Sequence, residues 1–362
     1  MKKFIRLPIT TDRSLRAWSA VDEYILKHIE EIDLTLENVS IYHDRFGYLT
    51  CELIENKPTT LVYLASQKSS IIQNAFSFNI EVKNLHILSV LENTTTKSNV
   101  ALMKIPKSLD LLRLYLMKIV ESLPADGFVI GGFMTRHFIK SILEIANEYF
   151  EIVEQTKAWK KSRLLILSKP KKRITNSDEI INTINYRDSI YQQYLGVFSA
   201  NQIDYATQFL LENIQLRASE NSFLDIGCGN GVIGKYLLEQ KTWSEAVLMD
   251  DSILATDSTL LNVAISESVK VLNEYNLDTF SSEQFDLIIT NPPFHFEYEI
   301  DPSIAIQLME NTARILSPNG RIVIVANKHL NYKSQLLNWY SIVDILAQND
   351  KFVIYQAEQP KV

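Results

Sequence analysis

Four of the chain's ten glycines fall within ten residues, Asp225-Ile-Gly-Cys-Gly-Asn-Gly-Val-Ile-Gly234. The run follows the apolar segment Phe223–Ile226 and leads into helical spacing near 231–240. A turn this dense in glycine serves backbone that other residues disfavour, with positive φ and a ligand lying against the main chain. Strand, glycine loop and helix in that order open a nucleotide-binding α/β unit. The loop alone leaves its ligand open, because Gly229-x-Gly231-x-x-Gly234 also satisfies the dinucleotide pattern. Asp250, at the end of the next strand-like run, can accept the ribose hydroxyls of either ligand.

Two features favour S-adenosylmethionine over a dinucleotide. Asp225 lies two residues before Gly227, where a carboxylate can help hold a cationic amino-acid end, directly or through water. A pyrophosphate gains nothing from an acid there. The second feature is Thr290-Asn291-Pro292-Pro293-Phe294-His295, which closes the fourth strand at the edge where ligands of open α/β sheets bind. This motif suits methylation of a planar exocyclic nitrogen, whose lone pair is delocalised into the base. The Asn291 side-chain oxygen and the Pro292 carbonyl can each accept one N–H, turning the lone pair toward a donor methyl. Pro292 and Pro293 fix φ and remove a competing donor. Phe294 offers a face for the flipped base. The work is positioning and electrostatics, so no strong general base is required.

Lesser candidates surround this pair. Asn276 near the third strand's end can contact adenine or serve as a turn residue. Asn230 lies inside the loop and joins the expected cofactor contacts, Cys228 reads as a small buried residue, and His295 is either a pocket or a structural histidine. Six histidines and two cysteines show no ligand spacing, so no metal is expected.

The flanking sequence supplies the sheet. Ala246–Met249, Phe285–Ile289 and Arg321–Val325 read as further buried strands, with helical spacing near 253–267 and 303–316. Alternation implies a parallel sheet with helices on both faces. Val343–Leu346 and Lys351–Tyr355 around Asn349-Asp350 read as a closing hairpin. The predicted fold class is α/β, a class I methyltransferase fold.

The first half echoes this plan at offsets of about 190 residues, as a duplicated domain would. Ser40–Gly47 parallels Leu224–Gly231, Ala101–Lys107 parallels Ile288–Phe294, Gly127–Ile130 with Thr135-Arg-His parallels Gly320–Val323 with Asn327-Lys-His, and Leu164–Leu167 parallels Phe352–Tyr355. The first copy has lost the chemistry, holding one glycine in place of four and Lys104-Ile-Pro-Lys107 in place of Asn-Pro-Pro-Phe. The expected organisation is a degenerate domain over 1–173, a polar linker over 174–194 and a catalytic domain over 195–362.

Charge divides along the same line. The net charge of −7 hides about +6 over 1–173 and about −13 beyond. Eight cations from Lys157 to Arg173 run without an acid, among them Lys160, Lys161 and Arg163. Such a run suits a polyanion or a solvated face equally. Only Cys51 and Cys228 occur, no apolar run reaches the ~18–20 residues that span a bilayer, and Met1-Lys2-Lys3-Phe4 opens no signal-peptide core. A cytoplasmic chain without membrane partners is expected.

The second half resembles the bacterial ribosomal RNA guanine-N2 methyltransferases, through Asp225–Gly234, Asn291–His295 and Ile324-Val-Ala-Asn-Lys-His-Leu-Asn-Tyr332. The first half resembles the group acting on the large subunit, through Ala17-Trp18 to Tyr24, Lys104–Lys107 and Ala158-Trp-Lys-Lys-Ser-Arg-Leu164. The resemblance implies two tandem methyltransferase domains, the first catalytically silent and helping to hold RNA. It implies S-adenosylmethionine as donor and N2 of a 23S rRNA guanine as acceptor. It carries the cofactor role onto Asp225, Gly227, Gly229, Asn230, Gly231 and Asp250, and guanine recognition onto Asn291, Pro292 and Phe294. Lys157, Lys160, Lys161 and Arg163 are the expected RNA contacts. One departure follows Val197-Phe198-Ser199, where the family carries Arg, a variable residue and Gly, and this chain has Ala200-Asn201-Gln202-Ile203-Asp204. Rival readings are the small-subunit (16S) guanine, adenine N6 or protein glutamine methylation, a non-catalytic assembly factor that keeps the fold, and a dinucleotide oxidoreductase. The expected partner is protein-free or partly assembled large-subunit rRNA, bound by a monomer.

Overall fold

The computed structural model describes residues 4, 6, 15–34, 36, 38–56, 61–66, 72, 75–77, 85–92, 98–172, 176–274, 276–292 and 302–361. The chain divides into two compact units, Met1–Ile180 and Ile181–Val362. Each is built on a seven-stranded sheet.

In the second unit the strands are β10 (Ser222–Ile226), β11 (Glu245–Asp250), β12 (Val269–Asn273), β13 (Phe285–Thr290), β14 (Leu316–Asn327), β15 (Tyr340–Gln348) and β16 (Phe352–Pro360). They lie in the order β12-β11-β10-β13-β14-β16-β15. The first five are parallel, and β16 runs antiparallel to both β14 and β15. Alternate residues of these strands face opposite sides. Phe223, Ala246, Leu248, Val323 and Val325 enter one core, whereas Leu224, Val247, Met249, Ile322 and Ile324 enter another. Burial on both faces is why these segments read as continuous apolar runs. Helices Val232–Gln240, Ile253–Asn262 and Pro302–Ile315 follow the first, second and fourth parallel strands. The second of these stops at Asn262, short of the helical spacing expected to 267.

The first unit repeats the architecture. Its strands are β1 (Asn38–Tyr42), β2 (Leu61–Ser66), β3 (Leu85–Ser89), β4 (Val100–Lys104), β5 (Phe128–Met134), β6 (Phe150–Gln155) and β7 (Ser162–Pro170). Their order, β3-β2-β1-β4-β5-β7-β6, is that of the second sheet strand for strand. The paired segments of the two halves coincide, β1 with β10, β4 with β13, β5 with β14 and β7 with β16. The chain therefore holds two tandem class I methyltransferase folds.

The stretch expected as a linker is more ordered than its composition implied. Within 174–194, β8 (Ile181–Tyr186) and β9 (Ser189–Tyr194) form an antiparallel hairpin turning at Arg187, which has φ +52°. Ile184 and Tyr191 are buried in the second unit's core. Asn262 clamps the hairpin, accepting from Gln192 N at 2.8 Å and donating to Gln192 O at 2.7 Å. Its polar side chains are largely exposed, and what anchors it is main-chain bonding to Asn262 and the two buried residues Ile184 and Tyr191.

Candidate active site

The strand order reverses between β10 and β13, so their carboxyl ends lie side by side with Ile226 opposite Thr290. Crevices at such reversals are where open α/β sheets bind ligands. Thr290 is fully buried and its hydroxyl donates to Ile226 O at 2.7 Å, tying the two strand ends together. The glycine loop leaves one strand here and Asn291-Pro292 leaves the other.

The loop's backbone is fixed by its own turn. Gly227 and Cys228 both donate N–H to Met249 O, at 2.9 and 3.0 Å, and Gly231 N–H donates to Cys228 O at 2.8 Å. Gly227, Gly229 and Gly231 all have left-handed φ, +72°, +59° and +79°. A Cβ at Gly227 or Gly229 would meet no atom within 4 Å, so these two border open space. Gly231 and Gly234 are close-packing glycines instead, pressed against Thr259 and Leu248. From behind, Thr259 donates to Gly229 O at 3.1 Å and Asn262 to Asn230 O at 2.9 Å.

Two carboxylates flank the loop. Asp250 ends β11, taking Gly229 N–H on Oδ2 at 3.1 Å and Ser252 N–H on Oδ1 at 2.9 Å. Asp225 is fully buried; its Oδ2 accepts from Gly234 N–H at 3.0 Å, and its Oδ1 has no hydrogen-bond partner among the described residues. Burial pushes its carboxyl up to about 7, the Gly234 N–H opposes that, and the Asp250 charge adds to it. A buried carboxylate oxygen left without a donor is costly unless something cationic or protic arrives. The glycine cradle and this oxygen together fit a ligand with a flat nucleoside and a positively charged end.

Asn291 is held by groups the sequence did not reveal. Its Nδ2 donates to Asp204 Oδ2 at 3.0 Å and to Thr207 Oγ1 at 2.9 Å. Both partners belong to the start of helix Tyr205–Asn213, which Asp204 caps by accepting from Ala206 and Thr207 N–H. Pro292 follows, buried. Pro293, Phe294 and His295 lie outside the described residues.

The remaining expected residues separate. Asn230 is buried; its Nδ2 donates to Gln193 Oε1 at 2.8 Å and its Oδ1 accepts from Val232 N–H at 3.3 Å. Its side chain thus braces the loop against β9 and starts the next helix. Asn276 caps the turn Leu277–Thr279, its Oδ1 accepting from Asp278 N–H at 2.9 Å. Asn273, which sequence reasoning passed over, donates to Asp250 O at 3.1 Å. Cys228 is buried with its thiol pushed up by burial, 3.3 Å from Thr259 Oγ1. Among the described residues no cluster of His, Cys, Asp or Glu is arranged to hold a metal, and no helix is long and apolar enough to cross a membrane.

In the first unit Lys157, Lys160, Lys161 and Arg163 are all exposed. Lys160 and Lys161 form the tip of a two-residue turn in which Trp159 and Ser162 exchange both backbone hydrogen bonds, at 2.9 and 2.8 Å. Both lysines have left-handed φ, +45° and +62°, as a type I′ turn demands. The Lys160 ammonium lies 2.8 Å from Glu23 Oε2 and 4.4 Å from the Trp159 ring. This hydrogen bond holds the Glu23 carboxyl below its usual range. The turn sits where β5 ends, and Thr135 N–H donates to Lys161 O at 2.9 Å, which brings exposed Arg136 into the same patch.

Comparison with known proteins matches the two halves separately. Residues 2–172 match the RLMG N-terminal domain and residues 190–356 the methyltransferase small domain. The chain is a methyltransferase that carries these two domains in tandem. Proteins named ribosomal RNA large subunit methyltransferase G, from Yersinia pseudotuberculosis serotype O:1b (strain IP 31758) and from Yersinia pestis, are 28% identical over 361 residues. These matches cover 97% of this chain and 90% of the relatives. A solved structure titled T. Thermophilus 16S rRNA N2 G1207 methyltransferase in complex with AdoMet and guanosine superimposes with a TM-score of 0.78. It covers 97% of this chain and 94% of its own at 18% identity, which speaks for a shared fold. The chain is dependent on S-adenosylmethionine, and its first unit is the degenerate copy of the fold.

Proposed function

We propose that this enzyme methylates the exocyclic N2 of one guanine in large-subunit (23S) ribosomal RNA. The carrying observation is the Ile226–Thr290 register, which brings the glycine loop and Asn291-Pro292 to the same point of strand reversal. S-adenosylmethionine supplies an activated methyl group on a cationic sulfur. Gly227 and Gly229 give it room against the backbone, Asp250 accepts from its ribose and the orphan Asp225 Oδ1 faces its amino-acid end. Gly231, Asn230 and Asn276 support those contacts indirectly, by packing, bracing and capping. Asn291 Oδ1 and the Pro292 carbonyl accept the two N2 hydrogens, and Phe294 stacks on the base. The proton displaced on methylation leaves to water, since a methylated exocyclic amine carrying an extra proton is a strong acid.

The domain assignment is part of the same reading: 1–173 recognises RNA and 195–362 carries catalysis, with the 181–194 hairpin belonging to the catalytic unit. Lys157, Lys161, Arg163 and Arg136 contact phosphates, and Lys160 contributes less because Glu23 already neutralises it. The target guanine is unpaired, since a paired base in A-form RNA hides its reactive edge. The enzyme acts as a cytoplasmic monomer on protein-free or partly assembled large subunits. Labelled methyl transfer to protein-free 23S and 16S rRNA, followed by nucleoside analysis, tests this. N2-methylguanosine in 23S rRNA is expected; label in 16S rRNA, in adenine or in neither would overturn it.

A further inference from the structure

The Asn291 amide has two nearly isosteric ends, one acceptor and one double donor. Only one orientation can grip an NH2 group. Turned over, the side chain would set its own NH2 against the guanine's, donor against donor. Something has to break this near-degeneracy before substrate arrives.

We propose that Asp204 and Thr207 are positioning residues that lock the Asn291 amide with its oxygen toward the acceptor nitrogen. The proposal rests on the reading of Asn291 as the guanine-gripping residue. A carboxylate only accepts hydrogen bonds, so Asp204 Oδ2 at 3.0 Å admits nothing but the NH2 end of the amide. Reversal would press two oxygen acceptors together at that distance. Thr207 Oγ1 at 2.9 Å takes the amide's second hydrogen. With both N–H groups spent, Oδ1 is the end that remains to accept. The clamp is itself rigid. The same Asp204 oxygen accepts from Ala206 N–H at 3.0 Å and Thr207 N–H at 3.3 Å, and the helix it caps is anchored by Ala206, Leu210 and Leu211 in the core. A first turn of helix is thereby made the reference frame for a residue 87 positions away.

Capping and positioning can be separated by reach. In Asp204→Ser the hydroxyl still caps the helix, since serine is about as good a cap as aspartate, but it stops one atom short of Asn291. With full-length enzyme, S-adenosylmethionine and protein-free 23S rRNA, kcat should fall about 10- to 100-fold. The KM for RNA, the S-adenosylmethionine affinity and Tm should stay close to wild type. Thr207→Val should lower kcat in the same selective way. Asp204→Asn, which restores an oxygen at the original reach, should recover at least about tenfold of the loss. Asn291→Asp should be inactive, two carboxylates then facing each other, and Asp204→Asn in the same chain should return measurable turnover. Wild-type kcat in Asp204→Ser, or a loss matched by falling cofactor affinity and Tm, would overturn the proposal. Activity retained in Asn291→Ala would instead remove the underlying reading; an inactive Asn291→Ala beside a normal Asp204→Ser would remove this inference alone.

Discussion

Gly47 and Gly231 occupy the same step of two copies of one turn, five residues past the ends of β1 and β10, with φ of +73° and +79°. His43 and Gly227 match in the same way one residue past those strands, at +64° and +72°. Duplication has kept the backbone of the cofactor loop while its occupants changed. Where Gly227 and Gly229 border open space, the first unit carries His43 and Arg45, and His43 Nδ1 lies 3.3 Å from the Tyr115 hydroxyl within its own core. Histidine is among the non-glycine residues that enter the left-handed region more readily, so the turn can keep its path after the exchange.

One S-adenosylmethionine per chain is therefore expected in a calorimetric titration. Gly47→Ala should lower stability by about 1 kcal/mol, because its φ is unsuited to alanine and its Cβ would lie 3.1 Å from the Phe76 ring. Cofactor affinity should be unaffected. Gly229→Ala should weaken binding at least about tenfold, through strain and a methyl group placed in the cradle. A second binding event, or equal effects of the two variants on affinity, would contradict the division of roles.

Asp225 makes the cofactor site pH-sensitive. Its folded-state pKa of about 7 is raised above an unfolded value of about 4, so its contribution to stability is complete below about pH 4 and is lost as pH rises toward 7. Wild-type Tm should thus fall more steeply than that of Asp225→Asn between about pH 5 and 8. A cationic ligand group near Oδ1 reverses the sign for binding: affinity should rise over the same interval in wild type and stay flat in Asp225→Asn. Parallel Tm profiles for the two proteins would show that the carboxyl is not the titrating group.

Asn291→Ala should reduce methyl transfer to below about 1% while leaving S-adenosylmethionine affinity nearly intact. Among the described residues this side chain's hydrogen-bond partners are Asp204 and Thr207, which belong to a different element from the loop and Asp250 proposed to hold the cofactor. Single-turnover rates beside equilibrium binding separate the two effects. A large loss of cofactor affinity would reassign Asn291 to the cofactor rather than the base.

Sequence carried the sheet and the loop but not the clamp. β10, β11, β13 and β14 were legible because Leu224, Val247, Ile288 and Ile322 on one face and Phe223, Ala246, Leu287 and Val323 on the other are all apolar in a doubly covered sheet. Gly227 and Gly229 announced themselves through a conformation that few other residues adopt. The β8–β9 hairpin was hidden because Gln193 looks solvent-facing, while in fact it is buried and accepts from Asn230, and because the Asn262 clamp acts on the main chain of Gln192. The bracing role of the Asn230 side chain was hidden for a related reason: position in a ligand loop does not say which way a side chain turns. Asp204 stood out only as part of the segment that departs from the family pattern, and no spacing rule connects it to Asn291.

The Lys160-Lys161 tip places strained backbone at the residues proposed to meet RNA. Type I′ turns favour Asn-Gly, and a lysine at φ +62° costs on the order of 1 kcal/mol. Lys161→Gly relieves that strain and Lys161→Ala does not, so the glycine variant should be more stable than the alanine one by about 0.5–1 kcal/mol in denaturant unfolding. RNA binding should not distinguish them. Both lose one cation from an exposed position, so both should bind 23S rRNA more weakly, with a salt dependence shallower by about one unit of slope. Lys160→Ala should flatten the slope less, because Glu23 already offsets its charge. Binding that tracked stability instead, recovering in the glycine variant, would mean that the shape of the turn and not its ammonium groups meets the RNA.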